Sequence, residues 1–422
     1  MTGFAARTQP TTGVHDPIMA RALLLDDGAT PLAIVSCDLI GFTADAVADM
    51  RLRIAQRAAV PAANILIACT HTHSGPASMP FRGPAMGHVD HAWLAGAQKR
   101  IIDLVSGLPA SLKPARIANA SVNVAGLGYN RQDRARPTDE QLGVIAVDAE
   151  GGAIATLLNY SMHAVVLGPG NLEYSGDYPG EAARQAAERR GGVGLFLLGA
   201  CGDVDPVVYR DRGWGTGTFD DTRAIGGQLV ERAAQALSTA DWSGDVPLRV
   251  ASKTVELPLD LPPSPEELGK LMNALESDRE KAAAEADRMN EWVALAMLDW
   301  ARGLERAMRG SAVPGTLPVE LFAAAIGDVR LVAVPLEPYS DISLGLKARL
   351  QPRQTMFAGY SNGLFGYCAS DWAKAQGGYG PDSSARWFPS MLTAIGNGAA
   401  EKVVEEAASL AESLELSSST ST

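Results

Sequence analysis

Short apolar runs that stop abruptly at polar residues are what most restricts the folds open to this chain. Ala33-Ile34-Val35-Ser36-Cys37 and Asn64-Ile65-Leu66-Ile67-Ala68-Cys69 read as buried strands. Between them, residues 44–58 carry apolar positions at helical spacing, with Arg51, Arg53 and Arg57 interleaved. Residues 90–106 and 180–190 also read as helices. Strands alternating with amphipathic helices through the first 250 residues predict an α/β layered fold.

Later segments change character. Ser264-Pro265-Glu266-Glu267 is a helix start, with Ser as N-cap, Pro at N1 and Glu at N3. Leu268, Leu271, Met272 and Leu275 follow at helical spacing, and the Ala-rich charged stretch beyond them extends the pattern. Residues 262–310 therefore read as one long helix or a helical hairpin inserted in a domain covering residues 1–413. Strand-like sequence resumes at Val329 to Val334, and a last helix is expected over residues 393–413. The Ser/Thr-rich stretch 414–422 reads as a disordered tail.

Composition narrows the function classes. Of 422 residues, 46% are hydrophobic and 20% charged, which suits a folded globular protein with a core that needs no metal or disulfide staple. The net charge of −12 opposes binding to nucleic acid or to anionic membranes, both of which require a basic face. Cys37, Cys69, Cys201 and Cys368 lie too far apart for a zinc ribbon or a CxxC redox pair and read as buried thiols. No apolar run reaches the ~18 residues of a membrane span. Met1 to Pro10 shows no basic segment followed by an apolar stretch, so no signal peptide and a cytoplasmic location are expected. A small-molecule substrate, no nucleic-acid partner and no stable membrane association follow from these readings.

The chemistry gathers where apolar runs end, the place where open α/β sheets bind ligands. The run 64–69 exits into Thr70-His71-Thr72-His73-Ser74-Gly75-Pro76. Two histidines at i and i+2 on an extended segment project to one side, which suits two metal ligands or one ligand and a base. The run 154–162 exits at His163, and the nearby Asp177 precedes a helix, where capping is the simpler role. The run 194–200 exits into Cys201-Gly202-Asp203-Val204-Asp205-Pro206, two acids that suit a metal, a base or an Asx turn. No neighbouring cation in sequence activates Cys201 as a nucleophile. Glu337 follows the run 331–334, and Tyr367 follows the run 355–360. Three histidines and several carboxylates at strand exits point to a metal site, with zinc the best match by ligand type.

The segment Thr70 to Pro76, THTHSGP, resembles a signature of the neutral (non-lysosomal) ceramidase family. The resemblance continues in order through Thr12 to Pro17, Val35 to Leu39, Asn130-Arg131, Asn159 to His163, Ser175 to Gly180, Gly202 to Val204 and Pro335 to Glu337. It implies an α/β catalytic domain of layered mixed β-sheets flanked by helices, holding one zinc ion. It further implies His71, His163, Glu337 and Tyr367 as zinc ligands. His73 and Arg131 match residues that handle the substrate carbonyl and its oxyanion, and Gly3 matches a glycine whose backbone lies near that oxyanion. One departure matters most. The family motif reads Gly-Asp-Val-Ser-Pro, and this chain has Asp205 at the serine position. An aspartate there suits a general base toward water, or joins Asp177 or His73 around a second metal.

The expected activity is hydrolysis of an amide-type C–N bond in a small soluble substrate by metal-activated water. Asp205, His73 and Arg131 form the catalytic set. A zinc-dependent esterase or lactonase and a non-catalytic metal-stabilised binding protein are the alternatives.

Overall fold

A computed structural model describes residues 1–415. Three larger sheets form its interior. In the first, Ala20–Asp26 runs antiparallel to Pro31–Cys37, which runs parallel to Ile65–Cys69. The second has five strands in the order Val193–Leu198, Gly152–Tyr160, Gln141–Ala149, Ala115–Asn123 and Trp242–Ser243. The third has four, in the order Leu248–Pro258, Thr316–Ile326, Val329–Ala333 and Thr355–Ala358.

The three sheets share one apolar layer. Leu32, Ile34 and Leu66 of the first meet Ile145, Leu157 and Leu195 of the second and Phe322, Leu331 and Met356 of the third. Their other faces lie under helices, including His91–Gly107, Asp177–Arg190 and Ala399–Glu412. Strands covered on both faces cannot alternate polar with apolar residues, which explains the continuous apolar runs of the sequence. The layered mixed sheets flanked by helices expected from the sequence are what the chain forms. Leu66 is fully buried, so Leu66→Ala costs about 2–5 kcal/mol.

Strand exits from all three sheets are tied to one another. Cys69 N–H donates to Tyr360 O at 3.0 Å, and Asn362 N–H donates to Ile67 O at 2.8 Å. The Asn159 side-chain amide donates to Leu197 O at 3.0 Å and Phe357 O at 2.9 Å, joining the second and third sheets. The polar residues that follow these runs are thereby gathered at one place.

The segment expected as a helix or hairpin is a hairpin. Helix Pro265–Ala284 starts with a complete capping box between Ser264 and Glu267. Ala286 adopts φ 55°, and Asp287 then caps helix Arg288–Arg309. A small core of Leu268, Trp300, Ala301 and Leu304 holds the pair together. The last helix begins at Ala399 and not near residue 393. Leu259 pairs with Ile395, and Gly396 N–H donates to Pro258 O, so residues 395 and 396 are drawn into strand pairing first. Leu414, expected in the tail, is buried. Residues 416–422 of that expected tail lie outside the described residues.

Candidate metal centre

His71 directly follows the strand Ile65–Cys69 with φ 56°, in the left-handed region that few non-glycine residues occupy. Simple extended alternation is therefore not what brings His71 and His73 together. The turn at His71 does so. Tyr360 (φ 55°) and Asn362 (φ 58°) share this strained backbone on the neighbouring exit, and the Tyr360 ring packs 4.2 Å from that of His71.

Both deeper histidines are oriented by the main chain. His71 Nδ1 lies 2.7 Å from Ile40 O, and His163 Nδ1 lies 2.9 Å from Cys201 O. A carbonyl only accepts, so Nδ1 carries the proton and a neutral ring turns its Nε2 lone pair away. Those Nε2 atoms meet Glu337. Its Oε2 is 3.3 Å from His71 Nε2 and 4.0 Å from His163 Nε2. The oxygen is buried and has no hydrogen-bond partner. Burial holds His163 neutral, helped by the nearby charge of Arg131.

His73 closes the group. One ring nitrogen each from His71, His73 and His163 lies within 4.8 Å of the other two. Both His73 ring nitrogens are buried without a partner, and burial keeps this ring neutral too, with His71 adding to the effect. Glu337 and Tyr367 stand directly opposite in a short parallel ribbon of Glu337–Pro338 and Tyr367–Cys368. Lone pairs and a carboxylate facing one another around a buried point repel unless a cation lies between them. The donor set thus fits a divalent ion, and two imidazoles with a carboxylate suit zinc.

Arg131 and Asp205 flank this centre. Arg131 donates to Gly202 O at 2.7 Å, to the Tyr367 hydroxyl at 3.0 Å and to Asp205 Oδ1 at 3.3 Å. Burial works against its charge, but Tyr367 and Asp205 outweigh burial and raise its pKa further. Burial pushes the Asp205 carboxyl up, and Arg131 opposes that shift. Asp205 lies opposite Tyr129 in the antiparallel ribbon of Gly128–Asn130 and Val204–Pro206. The other acid of the pair is structural. Asp203 accepts from the Ser340 amide and hydroxyl and from the Asn130 side chain.

Asp177 has both oxygens committed to backbone amides, those of Leu167 and Tyr178. That leaves neither oxygen for a metal, but Asp177 is not the cap expected of it: Gly176 holds the N-cap position, with no side-chain capping bond, and Asp177 is the first helical residue. Cys201 is buried beside the Tyr360 hydroxyl, and burial raises its thiol pKa, so it is no ready nucleophile. Gly3 (φ 103°) lies against His73 so closely that a Cβ would stand 2.5 Å from the ring.

Residues 1–195 match the family model for the neutral/alkaline non-lysosomal ceramidase N-terminal region. The neutral ceramidase of Pseudomonas aeruginosa is 26% identical over 272 residues, covering 57% of this chain. Over its first 195 residues the chain is similar to the neutral ceramidase family. The matched region spans 40% of that relative's own length. Two solved structures share the fold. The neutral ceramidase from Pseudomonas aeruginosa superposes with TM-score 0.71 and 19% identity, over 99% of this chain and 72% of that one. A ceramidase complexed with C2 gives TM-score 0.70 and 19% identity, over 98% and 73%.

Within this neutral ceramidase fold, two aromatics beside the centre went unread in the sequence. Phe4 packs 4.9 Å from the His73 ring. Tyr379 stands edge-on to Tyr367 at 5.9 Å and is 47% exposed. Tyr379 is framed by Gly378 and Gly380, and an aromatic between glycines in a loop was the available signal.

Proposed function

We propose that this chain is a metal-dependent hydrolase that cleaves an amide C–N bond of a small soluble substrate. The relatives bear the name ceramidase, and ceramide carries an amide. The observation that carries the reading is the unpartnered Glu337 Oε2 facing the Nε2 atoms of His71 and His163. His71, His163, Glu337 and Tyr367 would hold zinc. A zinc ion supplies Lewis acidity for a carbonyl and acidifies water near neutral pH.

The chain's own groups supply the remaining functions. Arg131 is aimed by three oxygens and offers a fixed positive charge to the oxyanion that develops as the carbonyl becomes tetrahedral. Asp205 accepts the proton of the attacking water, and its raised pKa strengthens it as a base. The carboxyl so formed then delivers that proton to the departing amine, while His73, neutral and with unpartnered ring nitrogens, orients the substrate carbonyl. A serine at position 205 would offer a hydroxyl nucleophile. The aspartate directs the reaction to water instead.

The test is elemental mass spectrometry of wild type and His163→Ala, followed by a panel of small amides and matched esters. About one zinc per chain, lost in the variant together with amide turnover, is expected. Failure to bind metal after zinc is supplied, with no acyl substrate hydrolysed, would overturn the reading. A higher kcat/KM on the matched esters would make the enzyme an esterase.

A further inference from the structure

Trp214 is 59% exposed, unusual for so large an apolar side chain. It sits in Gly213-Trp214-Gly215-Thr216-Gly217, between helix Val207–Arg212 and helix Phe219–Leu237. The glycines do specific things. Gly213 (φ 105°) and Gly215 (φ 77°) take backbone shapes that side chains resist. Gly215 lies against Gly168, Gly217 lies against the Val166 carbonyl, and Gly217 also pairs with Leu167. The loop is therefore fastened to the segment 166–169.

Arg7 fastens that segment in turn. Its guanidinium donates to Asn171 O at 3.0 Å, Gly168 O at 3.4 Å, Thr2 O at 3.1 Å and His73 O at 2.8 Å. One buried side chain thus fixes the seat of the Trp214 loop, the segment carrying Phe4 and the backbone of His73. Phe4 bridges the rings. It lies 4.9 Å from His73 and stands edge-on to Trp214 at 5.8 Å, while Tyr209 supports the indole from 6.2 Å. An aromatic line runs from solvent to the histidine cluster. Its outer end is held rigid, so a ligand stacking there pays little for ordering the loop.

We propose that Trp214 is a specificity-determining residue, whose exposed indole, backed by Phe4, receives a flat aryl group of the substrate. The proposal rests on the amide-hydrolase reading. Contact with the indole is remote from the scissile bond and alters binding more than chemistry.

The experiment compares N-acetylglycine with N-(phenylacetyl)glycine, following glycine release by wild type, Trp214→Ala and Trp214→Phe. Trp214→Ala should raise KM about tenfold for the phenylacetyl amide, keep kcat within about threefold and leave the acetyl amide unchanged. Trp214→Phe should recover most of the loss. A second arm needs no turnover: calorimetric titration of phenylacetate and acetate into the same proteins. Phenylacetate should bind wild type about tenfold tighter than Trp214→Ala, with acetate indifferent to the change. Equal effects on both acyl groups, or none, or no phenylacetate binding by wild type, would overturn the proposal. If wild type hydrolyses neither amide, the titration alone decides the role of Trp214, and the hydrolase reading is judged by its own metal and substrate-panel test.

Discussion

The centre and the helical hairpin are built on opposite terms. The hairpin is locally determined, since a capping box starts it, Asp287 starts its second helix and four buried residues hold the pair. The centre is assembled from far apart. His71, His163, Glu337 and Tyr367 come from four strand exits, and nothing within any one segment makes it a site. In the hairpin, Glu276 Oε2 also lacks a hydrogen bond but lies 3.9 Å from the Arg302 guanidinium. At the centre Glu337 and His73 keep buried atoms unpartnered. A region that retains such costs is organised for a ligand more than for stability.

That contrast can be broken most forcefully at Glu337. Glu337→Gln removes a charge that only a cation compensates, so zinc affinity should fall at least about 10²-fold by competition against a chelator. In metal-free protein the same change should raise Tm, because an uncompensated buried carboxylate is gone. A lower Tm in the metal-free state would mean that Glu337 serves structure. Next is Arg131→Ala, expected to lower kcat about 10²–10³-fold on the true substrate with zinc content intact. Near-full kcat would remove Arg131 from oxyanion stabilisation.

A third prediction uses pH. Burial pushes the Asp177 carboxyl from 3.8 to about 7. The folded state holds this proton more tightly than the unfolded state, so the penalty is absent below pH 4 and complete above pH 7. Wild type should lose about 2–4 kcal/mol relative to Asp177→Asn as pH rises through that window, read from denaturant unfolding. A gap that stays constant with pH would show that the carboxyl titrates normally. The smallest effect belongs to the hairpin. Ser264→Ala removes the capping box and should cost about 1 kcal/mol, leaving zinc content untouched. A loss of zinc there would erase the distinction between the two regions.

Much of this was legible in the sequence, for a physical reason. Strands buried on both faces announce themselves as apolar runs, and the residues after them are where a sheet presents chemistry. The placement of His71, His163, Glu337 and Tyr367 at strand exits was accessible in that way, and their role as ligands came from the resemblance and stands as a proposal. The hairpin was legible from caps and spacing. The left-handed turn at His71 was not, because an ordinary Thr-His-Thr carries no glycine to mark it. Nor was the late start of the final helix, which depends on pairing between residues 259 and 395. Phe4 and Trp214 escaped because a rim is defined by which loops meet, and that is a property of the whole topology.

The two carbonyls that aim His71 and His163 carry one more implication. In many metal sites an aspartate or glutamate side chain performs that task, and a single base change can delete it. Here Ile40 and Cys201 act through peptide oxygens, which every amino acid possesses. No substitution at either position removes the acceptor; only a displaced main chain does. The aim of both rings is inherited from the fold, so the surrounding sequence is free to drift while the imidazoles keep their bearing.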